Sequence, residues 1–137
     1  MYYGYKKGSK YHNKKTYSSD GVLHDSKREA TRWEELRILQ RAGKISELDR
    51  QVRYELIPAQ YDEIYTGEIY QRGEHKGEPK MKRVCVEKAC EYVADFVYKD
   101  HDTGLTVVED TKGFKTPEYI LKRKLMLYTF GIRIREL

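Results

Sequence analysis

The chain has 137 residues, 39% of them hydrophobic and 36% charged, with 27 Lys and Arg against 22 Asp and Glu for a net charge of +5. That length fits one domain with a core of its own, and no apolar run approaches the ~18 residues of a membrane span. The first residues form no apolar leader, and Cys85 and Cys90 are too few for a disulfide framework or a zinc site. The expectation is a soluble, cytoplasmic, mildly basic domain.

In residues 1–17, Lys6, Lys7, Lys10, Lys14 and Lys15 are threaded among Tyr2, Tyr3, Tyr5, Tyr11 and Tyr17, and no acid precedes Asp20. With Gly4, Gly8, Ser9 and Asn13 and few aliphatic residues, residues 1–25 read as a basic arm ahead of the domain. Such an arm is either a solvated tail or a strap that follows phosphates with lysine and stacks tyrosine on bases. Composition does not separate the two.

Residues 26–42 carry Ala30, Trp33, Leu36 and Leu39 at helical spacing. Ser26 and Glu29 form a capping box, and Gly43 supplies the stop. Residues 51–57 alternate Val52, Tyr54 and Leu56 with Arg53 and Glu55, as a strand does, and Pro58 closes it. Residues 91–98 and 105–112 are two more strands, joined by a loop over 99–104 with turn chemistry. Between the first and second strands lies an insertion at 59–89, with Gly67, Gly73, Gly77 and a basic patch of Lys80, Lys82 and Arg83; 61–70 and 81–86 could add strands there. Thr116 caps a second helix that starts at Pro117 and ends at Gly131, with Ile120, Leu121, Leu125 and Tyr128 expected to face inward. Residues 132–137 alternate once more. The order helix, strand, strand, strand, helix, strand predicts an α/β domain over 26–137.

The chemistry lies in acids placed inside apolar strands. Asp95 sits between Ala94 and Phe96, where a core strand would carry valine. Strict alternation puts Val93, Asp95 and Val97 on one face and Tyr92, Ala94, Phe96 and Tyr98 on the other; Val108, Asp110 and Lys112 share a face, with Glu109 and Thr111 opposite. If the two strands pair, Asp95 converges with Asp110 and Lys112. Two buried carboxylates repel, and one takes up a proton unless a counter-charge is present. Mg²⁺ removes that penalty and needs only one or two carboxylates beside waters and phosphate oxygens, while a neighbouring lysine orients water or stabilises developing charge. Glu29 shares the buried stripe of the first helix, in its positively polarised first turn, whereas Glu34 and Glu35 fall on the solvent side. Each has a plainer reading alone: Glu29 as a capping residue, Asp110 and Lys112 as an edge ion pair.

Ser26-Lys27-Arg28-Glu29 on a helix, Ala94-Asp95 on a strand and Asp110-Thr111-Lys112 on the next resemble the PD-(D/E)XK nuclease superfamily, and the element order resembles its αβββαβ core. The likeness covers most of 26–137 and leaves the arm and the insertion unmatched. Within the superfamily the chain is most similar to small archaeal and phage Holliday junction resolvases. Two positions depart from the pattern: Ala94 replaces the proline, which has no chemical role, and Asp110 replaces the commoner glutamate. The resemblance implies a restriction-endonuclease-like fold, a mixed central sheet flanked by helices, and metal-dependent hydrolysis of DNA. Glu29, Asp95, Asp110 and the Thr111 carbonyl would hold Mg²⁺, with Mn²⁺ able to replace it, and Lys112 would orient or activate the attacking water. Lys124 resembles a polar helix position that some relatives point at the site, though a snorkelling surface lysine reads equally well.

The expected partner is four-way or branched DNA, bound by a homodimer whose two sites make symmetric nicks. Lys6, Lys7, Lys10, Lys14, Lys15, Lys80, Lys82, Arg83, Lys124, Arg133 and Arg135 are the expected DNA contacts. A restriction-like, repair or genome-processing endonuclease, and a non-catalytic DNA-binding or virion-associated module, are the alternatives.

Overall fold

The computed structural model describes residues 13–137, so the expected DNA contacts Lys6, Lys7 and Lys10 lie outside the described residues. Order begins earlier than Ser26. β1 (Thr16–Tyr17) and β2 (Leu23–His24) form a small antiparallel hairpin. It is fastened to α1 (Lys27–Arg41) by Trp33 Nε1, which donates to Asp20 at 2.9 Å, and by the Ser19 N–H, which donates to Glu34. His24 and Ser18 are buried there. The boundary at residue 25 therefore cuts through a folded piece, held by polar side chains that an apolar pattern does not reveal.

The Ser26 hydroxyl accepts the Glu29 N–H at 3.1 Å, one of the orphan donors of the first turn. Beyond α1, Gly43 takes a left-handed φ of 74°, which lets the chain turn into β3 (Ile45–Ile57). β3 starts six residues before the predicted strand, because the polar run before Gln51 still pairs with β6 (Cys90–Asp100). β7 (Thr106–Asp110) follows antiparallel to β6. α2 (Pro117–Phe130), capped by Thr116, then returns the chain so that β8 (Arg135–Glu136) pairs parallel with β7. The sheet order is β3-β6-β7-β8, a mixed sheet in an α/β fold.

Two clusters form the core. Leu36, Ile45, Phe96 and Tyr98 pack with Trp33 under α1, and Leu56, Tyr92, Ala94, Val108, Tyr119 and Met126 pack under α2. Truncating Leu36 or Met126, both at 0% exposure, would cost about 2–5 kcal/mol in lost transfer and cavity energy. The strict alternation expected for β6 does not hold: Tyr92 and Ala94 belong to the α2 cluster, Phe96 and Tyr98 to the α1 cluster. The break falls at Asp95. Opposite it in β3, between the pairs Arg50–Phe96 and Val52–Ala94, Gln51 holds a φ of 53°.

The inward stripe of α2 also differs from expectation. Tyr119 and Met126, seven residues apart, face the core, with Ile120 and Leu125 partly covered. Leu121 is 59% and Tyr128 89% exposed. At 100° per residue Leu121 stands ~200° from Tyr119, and Lys124, between Leu121 and Tyr128 in the chain, is exposed and faces solvent rather than the candidate site.

The insertion is a projecting arm. β4 (Gln60–Ile69) and β5 (Pro79–Glu87) pair only with each other, as a separate antiparallel ribbon that prolongs the β3–β6 hairpin beyond Ile57 and Cys90. No helix among the described residues is long and apolar enough to cross a membrane.

Candidate functional site

Phe96 pairs with Glu109 at the end of the β6–β7 ladder, so Asp95 and Asp110 follow one step on, as across-strand neighbours. Thr111 fixes Asp95: its N–H and its hydroxyl both donate to Asp95 Oδ2 at 2.8 Å. Tyr92 fixes Asp110 from below, its hydroxyl donating to Oδ2 at 2.7 Å. The other carboxylate oxygen of Asp110 is fully buried and accepts no hydrogen bond. Lys112, just past the end of β7, brings its Nζ to 3.4 Å from that oxygen and lies 5.2 Å over the Tyr119 ring.

Burial, with Asp95 adding like-charge repulsion, pushes the Asp110 carboxyl up to about 6. Glu29, in the first turn of α1, is pushed up to about 7 by burial first and by Asp95 second, with Lys112 working the other way. Glu29, Asp95, Asp110 and Lys112 are thus linked electrostatically, and the sheet end, the start of α1 and the loop after β7 supply them. Among the described residues, however, no three His, Cys, Asp or Glu side chains group closely enough to hold a metal ion. The tight pair is Asp95 with Asp110, and Glu29 stands outside it.

A cleft of about 580 Å³ opens over this end, lined among others by Glu29, Thr111, Lys112 and Tyr119, with Lys14, Lys27 and Arg28 also in its wall. Asp95 is 8% exposed and Asp110 0%, so Lys112 is the residue that joins buried Asp110 to the cleft. Of the other expected DNA contacts, Lys15 is exposed on the segment before β1. Lys80, Lys82 and Arg83 lie on the arm, and none of them lines the cleft. Arg133 is exposed, while Arg135 donates to the Tyr98 hydroxyl at 3.1 Å.

Sequence reasoning missed what stands behind Asp110. Glu109, at 0% exposure, takes a two-pronged hydrogen bond from Arg32 of α1 (2.9 and 2.7 Å) and one from the Tyr98 hydroxyl at 2.5 Å. Adjacent acids in β7 therefore serve opposite faces. Glu109 is paired and ties α1 to the sheet, whereas Asp110 is short of partners. The signal was present as two consecutive acids after two valines, which no solvated strand end requires.

A family described as a protein of unknown function, DUF1064, matches residues 8–135, and the chain belongs to that family. No curated protein and no solved structure matches the chain.

Proposed function

We propose that this chain is a Mg²⁺-dependent DNA endonuclease of the PD-(D/E)XK type, with the restriction-endonuclease-like arrangement of its core. The observation that carries the reading is the buried Asp110 oxygen that accepts no hydrogen bond, beside Asp95 and 3.4 Å from Lys112. A carboxylate pair of this kind fits Mg²⁺, which takes one or two carboxylates and keeps several waters. Asp95, Asp110 and the Thr111 carbonyl would hold the ion, and Glu29 would act from the cleft side. Once bound, it would polarise the phosphate and lower the pKa of a coordinated water.

The chain's own residues supply the rest. Thr111 and Tyr92 hold the two carboxylates in place, so little reorganisation is needed when substrate arrives. The Lys112 ammonium would orient the attacking water and donate to a phosphate oxygen. Lys14, Lys27 and Arg28 would track the strand through the cleft, where each neutralised phosphate adds ~0.9 to the slope of log affinity against log salt. Within this class we favour a Holliday junction resolvase, acting as a two-fold dimer on four-way DNA.

Incubation of the purified protein and Mg²⁺ with four-way, forked, nicked and linear DNA tests the reading; paired nicks confined to the junction are expected. Equal cutting of linear duplex would replace the resolvase by a restriction-like or repair endonuclease. Asp95→Asn should lose cleavage while keeping DNA binding. One observation favours a non-catalytic DNA-binding module, the absence of a three-ligand group among the described residues. Binding of these substrates without cleavage under any divalent ion would establish it.

A further inference from the structure

β4 is exposed along its whole length, and the ribbon leaves Tyr61, Ile64, Tyr65, Ile69, Met81 and Val86 between 43% and 54% exposed. Ten residues at ~3.3 Å each reach about 33 Å, and a lone two-stranded ribbon is marginal in water unless something covers it. The register separates its faces. Tyr61, Glu63 and Tyr65 stand opposite Cys85, Arg83 and Met81, so these six side chains share one face. The Arg83 guanidinium lies 3.8 Å over the Tyr61 ring and flattens that face further.

Charge on the ribbon is divided by strand. β4 carries Asp62, Glu63 and Glu68 and no basic residue, whereas β5 carries Lys80, Lys82 and Arg83 with Glu87 at its end. Phosphates along such a ribbon would meet β4 with repulsion. A second copy meets complement: a two-fold axis running along the strands exchanges left for right and lays β4 of one copy over β5 of the other.

We propose that the β4–β5 arm is a self-association surface, with two copies stacking the face that carries Tyr61, Glu63, Tyr65, Met81, Arg83 and Cys85. Glu63 of each copy lies across from Arg83 of the other, between the apolar ends of the face. One ribbon face falls short of the ~800 Å² per partner of a standard interface, so the dimer forms in a concentration-dependent way. The proposal stands apart from whether the cleft cuts DNA.

Sedimentation equilibrium on the full chain should show a monomer–dimer equilibrium at tens of micromolar. Tyr65→Asp, at an exposed position, should give monomer with unchanged thermal melting. The double variant Glu63→Arg with Arg83→Glu preserves complementarity within and between its own copies. It should dimerise with itself, and native mass spectrometry of its mixture with wild type should show homodimers and few heterodimers. A wild-type chain that stays monomeric, a dimer that survives Tyr65→Asp, or heterodimers at the statistical proportion would each overturn the proposal. So would loss of DNA binding by Tyr65→Asp from a chain that is monomeric throughout, which would make the arm a nucleic-acid contact.

Discussion

The arm and the sheet end beneath the cleft place charge on β-strands in opposite ways. On the arm, Glu63 stands opposite Arg83 and Lys80 lies 3.6 Å from Glu68, at the surface, where a pair contributes about 0–1 kcal/mol. At the sheet end, Asp95 and Asp110 stand side by side, Asp110 at 0% exposure, with one lysine between that acid and the cleft. The arm has many charges and little electrostatic tension; the sheet end has few, and burial there pushes Asp110 up to about 6 and Glu29 up to about 7. Perturbed acids of this kind cluster where chemistry is done, and burial with one carboxylate oxygen left without a hydrogen bond is what separates Asp110 from the decorated surface.

The adjacent acids of β7 should respond most strongly and in opposite ways. Asp110→Asn keeps the shape of the side chain and its Tyr92 neighbour but removes the charge. Cleavage should fall by at least about a thousandfold, ~4 kcal/mol of barrier, while the melting temperature at pH 8 holds or rises, because a buried like-charge contact is relieved. Glu109→Gln should do the reverse. It removes the buried carboxylate from the Arg32 guanidinium and leaves the exposed Glu35 as its remaining partner, and urea unfolding should show a loss of roughly 3 kcal/mol with cleavage per folded molecule largely kept. If Glu109→Gln abolished cleavage and Asp110→Asn did not, the assignment of the two faces would be inverted.

A smaller effect follows from pH. Asp110 and Glu29 titrate near 6 and 7 in the folded chain against ordinary values of 3.8 and 4.5. The folded state therefore binds protons more tightly than the unfolded state between those limits. The stability they contribute is complete below about pH 4 and is lost as pH rises through 6 to 7. Metal-free protein should gain melting temperature on this account between pH 8 and pH 5. Buried His24, held below 6.5 chiefly by desolvation, works the other way in the same window. The measurement that decides is the difference between wild type and Asp110→Asn: the variant should gain less on acidification. Adding Mg²⁺ at pH 8 should raise the wild type and not the variant if the carboxylate pair holds the ion.

Much of this architecture was legible in the chain. Ser26 with Glu29, Thr116 with Pro117, and Gly43 and Gly131 mark the helix ends by local hydrogen-bond chemistry, so spacing alone finds both helices. Asp95, Asp110 and Lys112 stood out because an acid in an apolar strand has a physical cost. What escaped notice depends on tertiary contacts. The break of alternation at Asp95 needs Gln51 on another strand, and the Arg32–Glu109 tie joins residues 77 apart. The stripe of Leu121, Leu125 and Tyr128 is as regular as a core stripe, yet the cap and packing of α2 turn Tyr119 and Met126 inward instead.

The arm should give the smallest response. Lys80 pairs with Glu68 at 3.6 Å and lies 5.6 Å over the Tyr70 ring, but both carboxylate and ring are exposed to water. Solvent screens the ion pair, and holding the long side chain in place costs rotamer entropy that offsets part of the gain. Lys80→Ala should then shift urea stability by less than about 0.5 kcal/mol, about a sixth of the expected cost at Glu109. A loss above about 1.5 kcal/mol would mean that the ribbon depends on this pair in the folded chain. The difference between a decorated arm and a buried acid pair would then no longer support the proposed site.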